Sequence, residues 1–368
     1  MKESSGMDLS KIIENGKAPE NGGHPAEPIV LSTRIRLARN IDPYPFPGWA
    51  KSAQRCVLQE QLLESVASTE VMNNGIKLDL SNTDEFERLV LVERHLISRE
   101  LGEAEDGAGV VFSSDQQLSV MINEEDHLRL QAVANGFNFH STWQTVNALD
   151  TSLEDKLDYA YSTELGYLTA CPTNLGTGMR ASAMLHLPGL VIQDNIEKVI
   201  RMVNQLGMAV RGQFGEGSEA TGSIFQISNQ QTLGENEAEI IDRLRSILKA
   251  IIQQEENARL KILEEKPHKL FDKIGRAYGI LKNGHLLSSE ETMNLLSLMR
   301  LAVDLGMLPQ DHRSEVDRLL VEMQPGHLQY FAQHSIEPDE RDRQRACLIR
   351  NAYAKIPSLN FDLPTPGP

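Results

Sequence analysis

Arginine side chains stand beside small residues at several points in the middle of the chain. Between residues 30 and 240 there are 11 arginines and only four lysines. Arg34 and Arg36 are two residues apart, so in a strand both point to one face, while Arg180 and Arg211 each adjoin a small residue. Because a planar guanidinium binds two phosphate oxygens at once, this pattern indicates a polyphosphate site. Surface arginines in ordinary ion pairs are the alternative.

Such a site would have to be built without the usual phosphate-binding loop. The GxxxxGK[ST] motif does not occur in the sequence, so arginine side chains would replace its backbone cradle. Phosphoryl transfer needs positioning and charge neutralisation more than covalent help, which makes the replacement reasonable. The run 176–181, with Asp194 beyond it, also imitates the GxGxxA dinucleotide fingerprint of a dehydrogenase. The match is weak, because the run stands in mid-domain and does not open a βαβ unit.

Carboxylates that could hold a cationic acceptor occur at two places. Glu124, Glu125 and Asp126 directly follow an apolar run. Glu216 lies in a glycine-spaced run of the kind that forms a mobile loop over a ligand. A solvated acidic turn is the alternative at each place. Cys171 precedes a Pro-Thr pair whose hydroxyl could donate to a thiolate, although a buried structural cysteine is the commoner case.

The elements that would carry these residues change character along the chain. Residues 1–27 are polar and predict a flexible leader. Apolar and polar residues alternate in 117–123, which predicts a strand with one buried face, and 85–101 predicts a helix. Several strands with short spacers favour an antiparallel sheet flanked by helices. From about residue 235 the apolar residues have helical spacing, with Ser288 and Glu291 as a capping box and Pro338 in a first helical turn. We therefore predict domains at 28–257 and 258–356 and a tail at 357–368.

Length and charge exclude several classes of protein. The 368 residues suit one large domain or two ordinary ones, and the net charge is −16. This acidic balance argues against direct binding to nucleic acid or to an anionic membrane, since both require a positive field. Three cysteines are too few for a disulfide framework or a CxxC zinc site. The sequence has no apolar signal segment and no apolar run of membrane-spanning length, so we expect a cytoplasmic protein.

At these residues the sequence resembles the phosphagen kinases, or ATP:guanido phosphotransferases. The matching segments, in the family's order, are 32–40, 93–102, 120–130, 165–184 and 210–229. The strings NEEDH and CPTNLGTG are their most specific parts. Phosphagen kinases have a helical domain ahead of the catalytic domain, whereas here a helical region follows it, a layout similar to that of the family's bacterial protein-arginine kinases. The resemblance implies an α+β phosphagen-kinase-like catalytic domain, with a large antiparallel sheet flanked by helices, and an all-helical C-terminal domain.

The activity implied by the resemblance is phosphorylation of arginine side chains in proteins, with ATP and Mg²⁺. Glu125 and Glu216 would grip the guanidinium, with Cys171 against one of its nitrogens, and one carboxylate would act as general base. Five arginines would clamp the ATP phosphates: Arg34, Arg36, Arg129, Arg180 and Arg211. Other residues would line the nucleotide pocket: Ser32, Thr33, Ile35, His95, Ala181, Ser182, Ala183, Met184, Gly212, Gln213, Phe214, Gly215 and Glu216. The sequence does not identify ligands of the metal.

A further element lies in the last predicted helix. Arg341, Asp342, Arg345 and Ala346 match an RDxxRA element that, in the protein-arginine kinases, resembles a pocket for phosphoarginine. Two arginines one helical turn apart would bind the phosphoryl group and the carboxylate would bind the guanidinium. A solvated charged helix is the alternative.

The resemblance also implies partners. They are protein substrates with exposed arginines, an activator protein, a Clp-type unfoldase or protease, a stress-gene repressor and a second copy in a homodimer. Two other functions stay open from the residues: a kinase of a free guanidino compound, and a phosphoarginine-binding adaptor without catalysis.

Overall fold

The computed structural model describes residues 28–212 and 221–362. The predicted leader at 1–27 lies outside these ranges, as do residues 363–368 of the predicted tail. Four of the predicted site residues, Gln213, Phe214, Gly215 and Glu216, also lie outside the described residues.

The described strands form one large sheet and a small hairpin. They are β1 (Val30–Arg39), β2 (Ile76–Asp79), β3 (Gly109–Phe112), β4 (Leu118–Ile122), β5 (Leu128–Asn135), β6 (Tyr161–Ser162), β7 (Gly166–Tyr167), β8 (Met179–His186), β9 (Met208–Arg211) and β10 (Ile224–Asn229). The large sheet has eight strands in the order β2-β3-β4-β5-β1-β8-β10-β9, and β6 pairs with β7. The pairs from β2 through β1 are antiparallel, which confirms the predicted sheet type.

The register between β1 and β5 decides which arginines share a side of the sheet. Arg36 lies opposite Gln131, and Ala38 lies opposite Arg129. Facing residues of an antiparallel pair project from the same side, and residues two apart on one strand do so as well. Arg34, Arg36 and Arg129 therefore project from the same side of the sheet.

Twelve α-helices are assigned within the described ranges. They are α1 (Ser52–Ala67), α2 (Glu85–Glu93), α3 (Arg99–Gly102), α4 (Phe139–Glu154), α5 (Pro188–Ile192), α6 (Ile196–Gln205), α7 (Glu237–Glu265), α8 (Pro267–Asn283), α9 (Ser289–Asp304), α10 (His312–Glu322), α11 (Pro325–Ala332) and α12 (Pro338–Tyr353). Ser288 caps α9 by accepting from the backbone N–H of Glu291, and Pro338 occupies the first turn of α12. Both of these predicted helix starts are confirmed.

Two local predictions were wrong. The run 85–101 forms α2 and α3 and not one helix, because His95 between them has φ 58°, a left-handed conformation that interrupts a helix. Strand β4 is buried on both faces and not on one. Its polar residue Ser119 is 1% exposed, and its hydroxyl accepts from the Gln131 side chain at 3.1 Å. A polar residue whose hydrogen bond comes from a neighbouring strand can be buried, because burial leaves its hydroxyl with a partner.

Contacts divide the chain into two compact units. The first contains the residues up to Met184 together with Val203–Ala209 and Ile227–Leu248. The second contains Leu185–Met202, Val210–Gln226 and the residues from Lys249 onward. Each unit is made of several separate segments of the chain, whereas the predicted domains are two continuous segments divided at 257/258. That boundary stays a prediction. No helix of residues 28–212 and 221–362 has the length and apolar character needed to cross a membrane.

The second unit has a charged cluster in its interior. Asp304 accepts from Arg259 Nη1 at 2.9 Å and from Arg313 Nη2 at 2.5 Å. His186 Nε2 lies 2.8 Å from the hydroxyl of Ser297, and its Nδ1 lies 3.3 Å from Arg300 Nη1. Burial, followed by the charges of these arginines, lowers the pKa of His186 well below its ordinary value. The histidine is therefore neutral and acts as a hydrogen-bonding spacer among the arginines.

Candidate active site

Four of the five predicted phosphate-binding arginines act on one another electrostatically. They are Arg34, Arg36, Arg129 and Arg180. Burial, and then the charges of Arg129 and Arg180, lower the pKa of Arg34 to about 10. Burial and the charges of Arg34, Arg129 and Arg180 lower the pKa of Arg36 well below its ordinary value. Since neighbouring like charges disfavour the charged form, the four guanidinium groups create a concentrated positive field that attracts a polyanion.

Arg36 adds a geometric argument for an anion at this place. Its Nε atom is buried and has no hydrogen-bond partner. A buried charged donor without an acceptor is costly and rare in native proteins. A phosphate oxygen would satisfy the donor and neutralise part of the field, so the residues fit the triphosphate of ATP.

Arg180 is delivered to the cluster by the turn that precedes β8. The carbonyl of Gly178 accepts from the backbone N–H of Ala38 at 2.9 Å. Gly178 has φ +65°, and a Cβ added there would lie 2.6 Å from the carbonyl oxygen of Ala38. The glycine is therefore needed for the close approach of the turn to β1. Because this turn leads into a strand and not into a helix, the dinucleotide fingerprint considered for residues 176–181 is wrong.

Arg39 also holds this turn in place, a role that sequence reasoning missed. Its Nη1 donates to the carbonyl of Thr177 at 2.9 Å, and its Nη2 pairs with Asp150 at 2.7 Å. Its guanidinium carbon also lies 3.5 Å from the ring centroid of Tyr167. Arg39 is buried, so its guanidinium positions the turn and does not bind a ligand.

His95 lies beside the arginine cluster. Burial, and then the charge of Arg34, lower the pKa of His95 to about 4. Its backbone carbonyl accepts from the Gln131 side chain at 2.7 Å, which fixes the left-handed turn. The imidazole is therefore neutral near pH 7, and it can contact a nucleotide without adding charge.

Most of the other predicted pocket residues are internal. Thr33 donates to the carbonyl of Gly136 at 2.6 Å and accepts from the N–H of Asn138 at 3.0 Å, so its hydroxyl is already used. The buried side chains of this group are Thr33, Ile35, Ala181, Ser182 and Ala183, and the partly exposed ones are Ser32 and Met184. Nucleotide contacts from the buried members would have to come from their backbone. Arg211 is the last residue of β9, and Gly212 follows it.

The acidic loop between β4 and β5 is mostly held inside the protein. Glu124 pairs with Arg129 at 2.5 Å and accepts from the Ser98 hydroxyl at 2.7 Å. Asp126 is buried and accepts from the Asn40 side chain at 2.6 Å and from the N–H of Ala170 at 2.7 Å. These contacts exclude the alternative of a wholly solvated acidic turn. They also show that Asn40 and Asp126 position the loop, which sequence reasoning missed.

Glu125 is the member of this loop that faces outward, with 42% of its side chain exposed. Burial raises the pKa of Glu125, the nearby charges of Asp126 and Glu124 raise it further, and Arg129 and a hydrogen bond with Cys171 lower it. Arg129 Nη2 lies 3.0 Å from the Glu125 carboxylate. The structure therefore brings Glu125 and Cys171 together, and it connects them through Arg129 to the arginine cluster.

Cys171 also has the predicted contact with Thr173. Its Sγ lies 3.0 Å from Thr173 Oγ1, either atom being able to donate. The cysteine is partly exposed, so the alternative of a buried structural cysteine is wrong. A hydroxyl, a thiol and a carboxylate thus follow one another, an arrangement that can accept and orient N–H groups of a cationic ligand.

In the RDxxRA element the two arginines have different environments. Arg345 is 1% exposed, and its guanidinium donates to the carbonyls of Met323 at 2.9 Å and Leu287 at 2.8 Å and to Asp342 at 2.6 Å. Arg341 is partly exposed, and Ala346 is buried. A solvated charged helix is therefore wrong at Arg345, while the phosphoarginine pocket stays a prediction.

A metal site made by the protein alone is not present among the described residues. No group of three or more His, Cys, Asp or Glu side chains in residues 28–212 and 221–362 could hold a metal ion.

The fold and this site agree with what comparison with known proteins finds. A family model described as the ATP:guanido phosphotransferase C-terminal catalytic domain matches residues 58–258. The protein-arginine kinase McsB C-terminal domain matches residues 267–363.

Relatives of known name extend the match over most of the chain. A protein-arginine kinase of Halothermothrix orenii is 43% identical over 346 residues, covering 94% of this chain and 99% of the relative. One from Bacillus cereus is 44% identical over 347 residues, covering 94% of this chain and 98% of the relative.

Solved structures are similar over about two thirds of this chain. Lombricine kinase superimposes with a TM-score of 0.55 at 26% identity, covering 66% of this chain and 70% of that one. The substrate-free duplicated taurocyamine kinase from Schistosoma mansoni gives a TM-score of 0.56 at 24% identity, covering 69% of this chain and 39% of that one. The latter supports the fold alone.

The fold and site define a guanidino kinase, and the chain belongs to the ATP:guanido phosphotransferase family. Within that family, the C-terminal domain and the relatives are those of the protein-arginine kinases, and the enzyme class is ATP-dependent phosphorylation of arginine in proteins.

Proposed function

We propose that this enzyme transfers the γ-phosphoryl group of ATP to arginine side chains of proteins at the site around Arg129. The observation that carries the proposal is the double contact of this residue. Its charge acts on Arg34 and Arg36, while its guanidinium pairs with Glu124 and Glu125. This side chain thus connects a phosphate-binding site to a cation-binding site. Transfer of a phosphoryl group from one to the other requires such an arrangement.

On the donor side, the four clustered arginines would neutralise the triphosphate as charge shifts toward ADP. The family resemblance adds Arg211 and the pocket residues at Gly212–Glu216, together with Ser32–Ile35, His95 and Ala181–Met184, as further nucleotide contacts. Arginines on paired strands are fixed before the ligand arrives, so little reorganisation is needed in the transition state.

On the acceptor side, Glu125 would orient the substrate guanidinium and act as the base, with Glu216 as its partner and Cys171 against one nitrogen. The new N–P bond forms as the bond between the γ-phosphorus and the bridging oxygen breaks, and the guanidinium proton passes to Glu125. Since burial raises the pKa of Glu125, the carboxylate is a stronger base than an ordinary glutamate.

Mg²⁺ belongs to this proposal as the ion that would stabilise the charge of the ATP phosphates. The partly buried Glu124 and the exposed Glu125 are the carboxylates of the acidic loop nearest the arginine cluster. They are candidates to hold waters of the ion.

The wider role is inferred from the family resemblance. We propose a catalytic domain at 28–257 and a helical domain at 258–356, whose Arg341, Asp342, Arg345 and Ala346 bind phosphoarginine. Expected partners are an activator protein, a Clp-type unfoldase or protease that degrades marked proteins, a stress-gene repressor and a second copy of the chain. A cytoplasmic location agrees with the free thiols of all three cysteines.

The test is mass spectrometry of an arginine-rich protein after incubation with ATP, at neutral or basic pH to preserve the acid-labile N–P bond. We expect phosphoarginine on the protein and a loss of at least about 100-fold in rate for Glu125→Gln, the size expected for removal of a base. Glu60→Gln, on an exposed position of α1, is the matched control. Equal labelling of free arginine would support a metabolite kinase instead, and an unchanged rate in Glu125→Gln would refute the assigned base.

A further inference from the structure

The loop 42–50, which joins β1 to α1, exposes an aromatic side chain. Trp49 is 89% exposed, the highest value among the large apolar side chains of the described residues. Trp is normally well buried because of its large apolar surface. The other tryptophan, Trp143, is partly buried in α4. The large apolar surface of Trp49 is therefore in contact with solvent and accessible to a binding partner.

The backbone that carries Trp49 is nevertheless well ordered by hydrogen bonds. The N–H of Trp49 donates to the carbonyl of Phe46 at 2.8 Å, and that of Ala50 donates to the same carbonyl at 3.0 Å. Pro47 is buried, and the Tyr44 hydroxyl lies 3.3 Å from the Gln61 side chain of α1. The indole is thus held outward by a fixed loop, which lowers the entropy that a binding partner must overcome.

The same loop is attached to the candidate acceptor site through His127, two residues after Glu125. His127 Nε2 lies 3.1 Å from the carbonyl of Pro45, and its Nδ1 accepts from the N–H of Ile41 at 3.0 Å. The rings of Tyr44 and Phe46 meet the imidazole edge to face, with centroids 6.5 and 6.1 Å away. One histidine therefore fixes the Trp49 loop relative to the acidic loop.

We propose that Trp49 is a docking residue for the polypeptide substrate, on which an apolar side chain near the target arginine packs while that arginine reaches Glu125. The inference rests on the function proposed above and specifies its substrate. The carboxylate of Glu125 supplies the charge complement for the arginine, and the indole supplies an apolar anchor, a residue type enriched among binding hot spots. A free guanidino compound has no flanking side chain that could pack on the indole.

The length of the chain between the two contacts limits where the apolar residue lies. An extended polypeptide spans about 3.3–3.6 Å per residue. Glu125 and Trp49 are connected through two short steps, from Glu125 to His127 along the chain and from Pro45 to Trp49 after the His127 contact. The anchor residue of the substrate should therefore lie within about ten residues of the target arginine.

The experiment compares two synthetic peptides, each with one arginine, that differ only in having leucine or serine at the flanking positions. We expect the full-length enzyme to prefer the leucine peptide by about tenfold in kcat/KM, mostly through KM, as for a partly buried anchor. In Trp49→Ala the preference should fall to about onefold while the rate with the serine peptide is unchanged. Trp49→Phe should keep most of the preference, and Leu206→Ala, an exposed apolar side chain after α6, should keep all of it.

Fluorescence gives a readout that is independent of catalysis. In Trp143→Phe the indole of Trp49 is the sole tryptophan, because the chain contains two. Addition of the leucine peptide should shift its emission to shorter wavelength, and the serine peptide should not.

The outcomes separate this inference from the proposed function. An unchanged preference in Trp49→Ala would overturn the docking role while leaving the kinase intact. A change in oligomeric state in Trp49→Ala without a change in preference would also overturn it, since Trp49 would then lie in a subunit contact. If the unmodified enzyme labels neither peptide nor any protein arginine, the proposed function fails first.

Discussion

The thiol of Cys171 is hydrogen-bonded to the carboxylate of Glu125, and its sulfur lies 3.0 Å from the hydroxyl of Thr173. The bond to Cys171 lowers the pKa of Glu125, against the effect of burial, which raises it. In the proposed mechanism the cysteine would therefore tune the base as well as line the acceptor site.

Replacement of Cys171 by alanine should raise the pKa of Glu125 further and move the acid limb of the pH–rate profile to higher pH. A glutamate must be ionised to accept a proton, so activity is lost as pH falls through its pKa. One lost hydrogen bond, worth about 0.5–1.5 kcal/mol, predicts a decrease of about two- to tenfold below the limb. Initial rates of ADP release from pH 5.5 to 8.5 would measure it. Cys171→Ser, which keeps a donor, should retain the original profile, and an unshifted limb in the alanine variant would contradict the tuning.

Arg36→Met should make the ligand-free protein more stable and remove its stabilisation by ATP. The substitution removes a guanidinium whose Nε is buried without a partner, and with it the repulsion between this group and Arg34. A gain of roughly 1 kcal/mol is reasonable for relieving a buried unpaired donor. Thermal unfolding with and without ATP would show both effects. Arg245→Met, at a partly exposed arginine paired with Asp242, is the control in which the shift caused by ATP should persist.

Arg341 and Arg345 should differ in their effects on stability. Arg345→Ala removes a buried guanidinium from two carbonyls and Asp342, and we expect a loss of roughly 3–5 kcal/mol in the free energy of unfolding. Arg341→Ala, at a partly exposed position, should cost less than about 0.5 kcal/mol. Denaturant unfolding would measure both losses. Only Arg341→Ala can therefore test the phosphoarginine pocket cleanly, by titration with a phosphoarginine peptide, and undiminished affinity there would count against the pocket.

His186 should make folding stability depend on pH below neutrality. Its folded-state pKa is far below 6.5 because of burial and the charges of Arg300, Arg259 and Arg313. Above pH 6.5 the histidine is neutral in both states and adds no pH dependence. Below that value the unfolded chain binds a proton that the folded protein excludes, so stability falls by about 1.4 kcal/mol per pH unit. Denaturant unfolding at pH 7.5 and 5.5 should show a smaller loss in His186→Gln than in the unmodified protein. His285→Gln, at an exposed position, should behave like the unmodified protein.

The sequence was sufficient to predict the common face of Arg34 and Arg36, because strand period alone determines it. Strand period alone could not predict that Arg129 joins them, and only the family resemblance placed it there, since its position depends on the register that pairs Ala38 with Arg129 across a separation of 91 positions along the chain. Local pattern also failed at Ser119, where burial is permitted by a donor on another strand.

Burial of charged residues was the least predictable feature of the site. Arg39 and Asp126 are of residue types that usually lie on the surface, yet both are buried. Each is paired with a residue from a distant segment: Arg39 with Asp150, and Asp126 with Asn40. Pairwise contacts of this kind leave no periodic signal in the sequence. His127 was likewise visible only as part of an acidic string, and its contacts to Ile41 and Pro45 emerge from the fold.

The four clustered arginines of the proposed phosphate-binding site lie on interior strands of the sheet. Glu125 and Cys171 lie in connections between strands. Strand residues are held by neighbours on both sides, but connections tolerate changes of length and sequence. The residues of the proposed acceptor site can therefore change while those of the proposed nucleotide site stay the same. Redesign toward other guanidine-bearing polymers should begin with the exposed or partly exposed side chains around Glu125 and Cys171, and it should leave the buried anchor Asp126 and strands β1, β5 and β8 untouched.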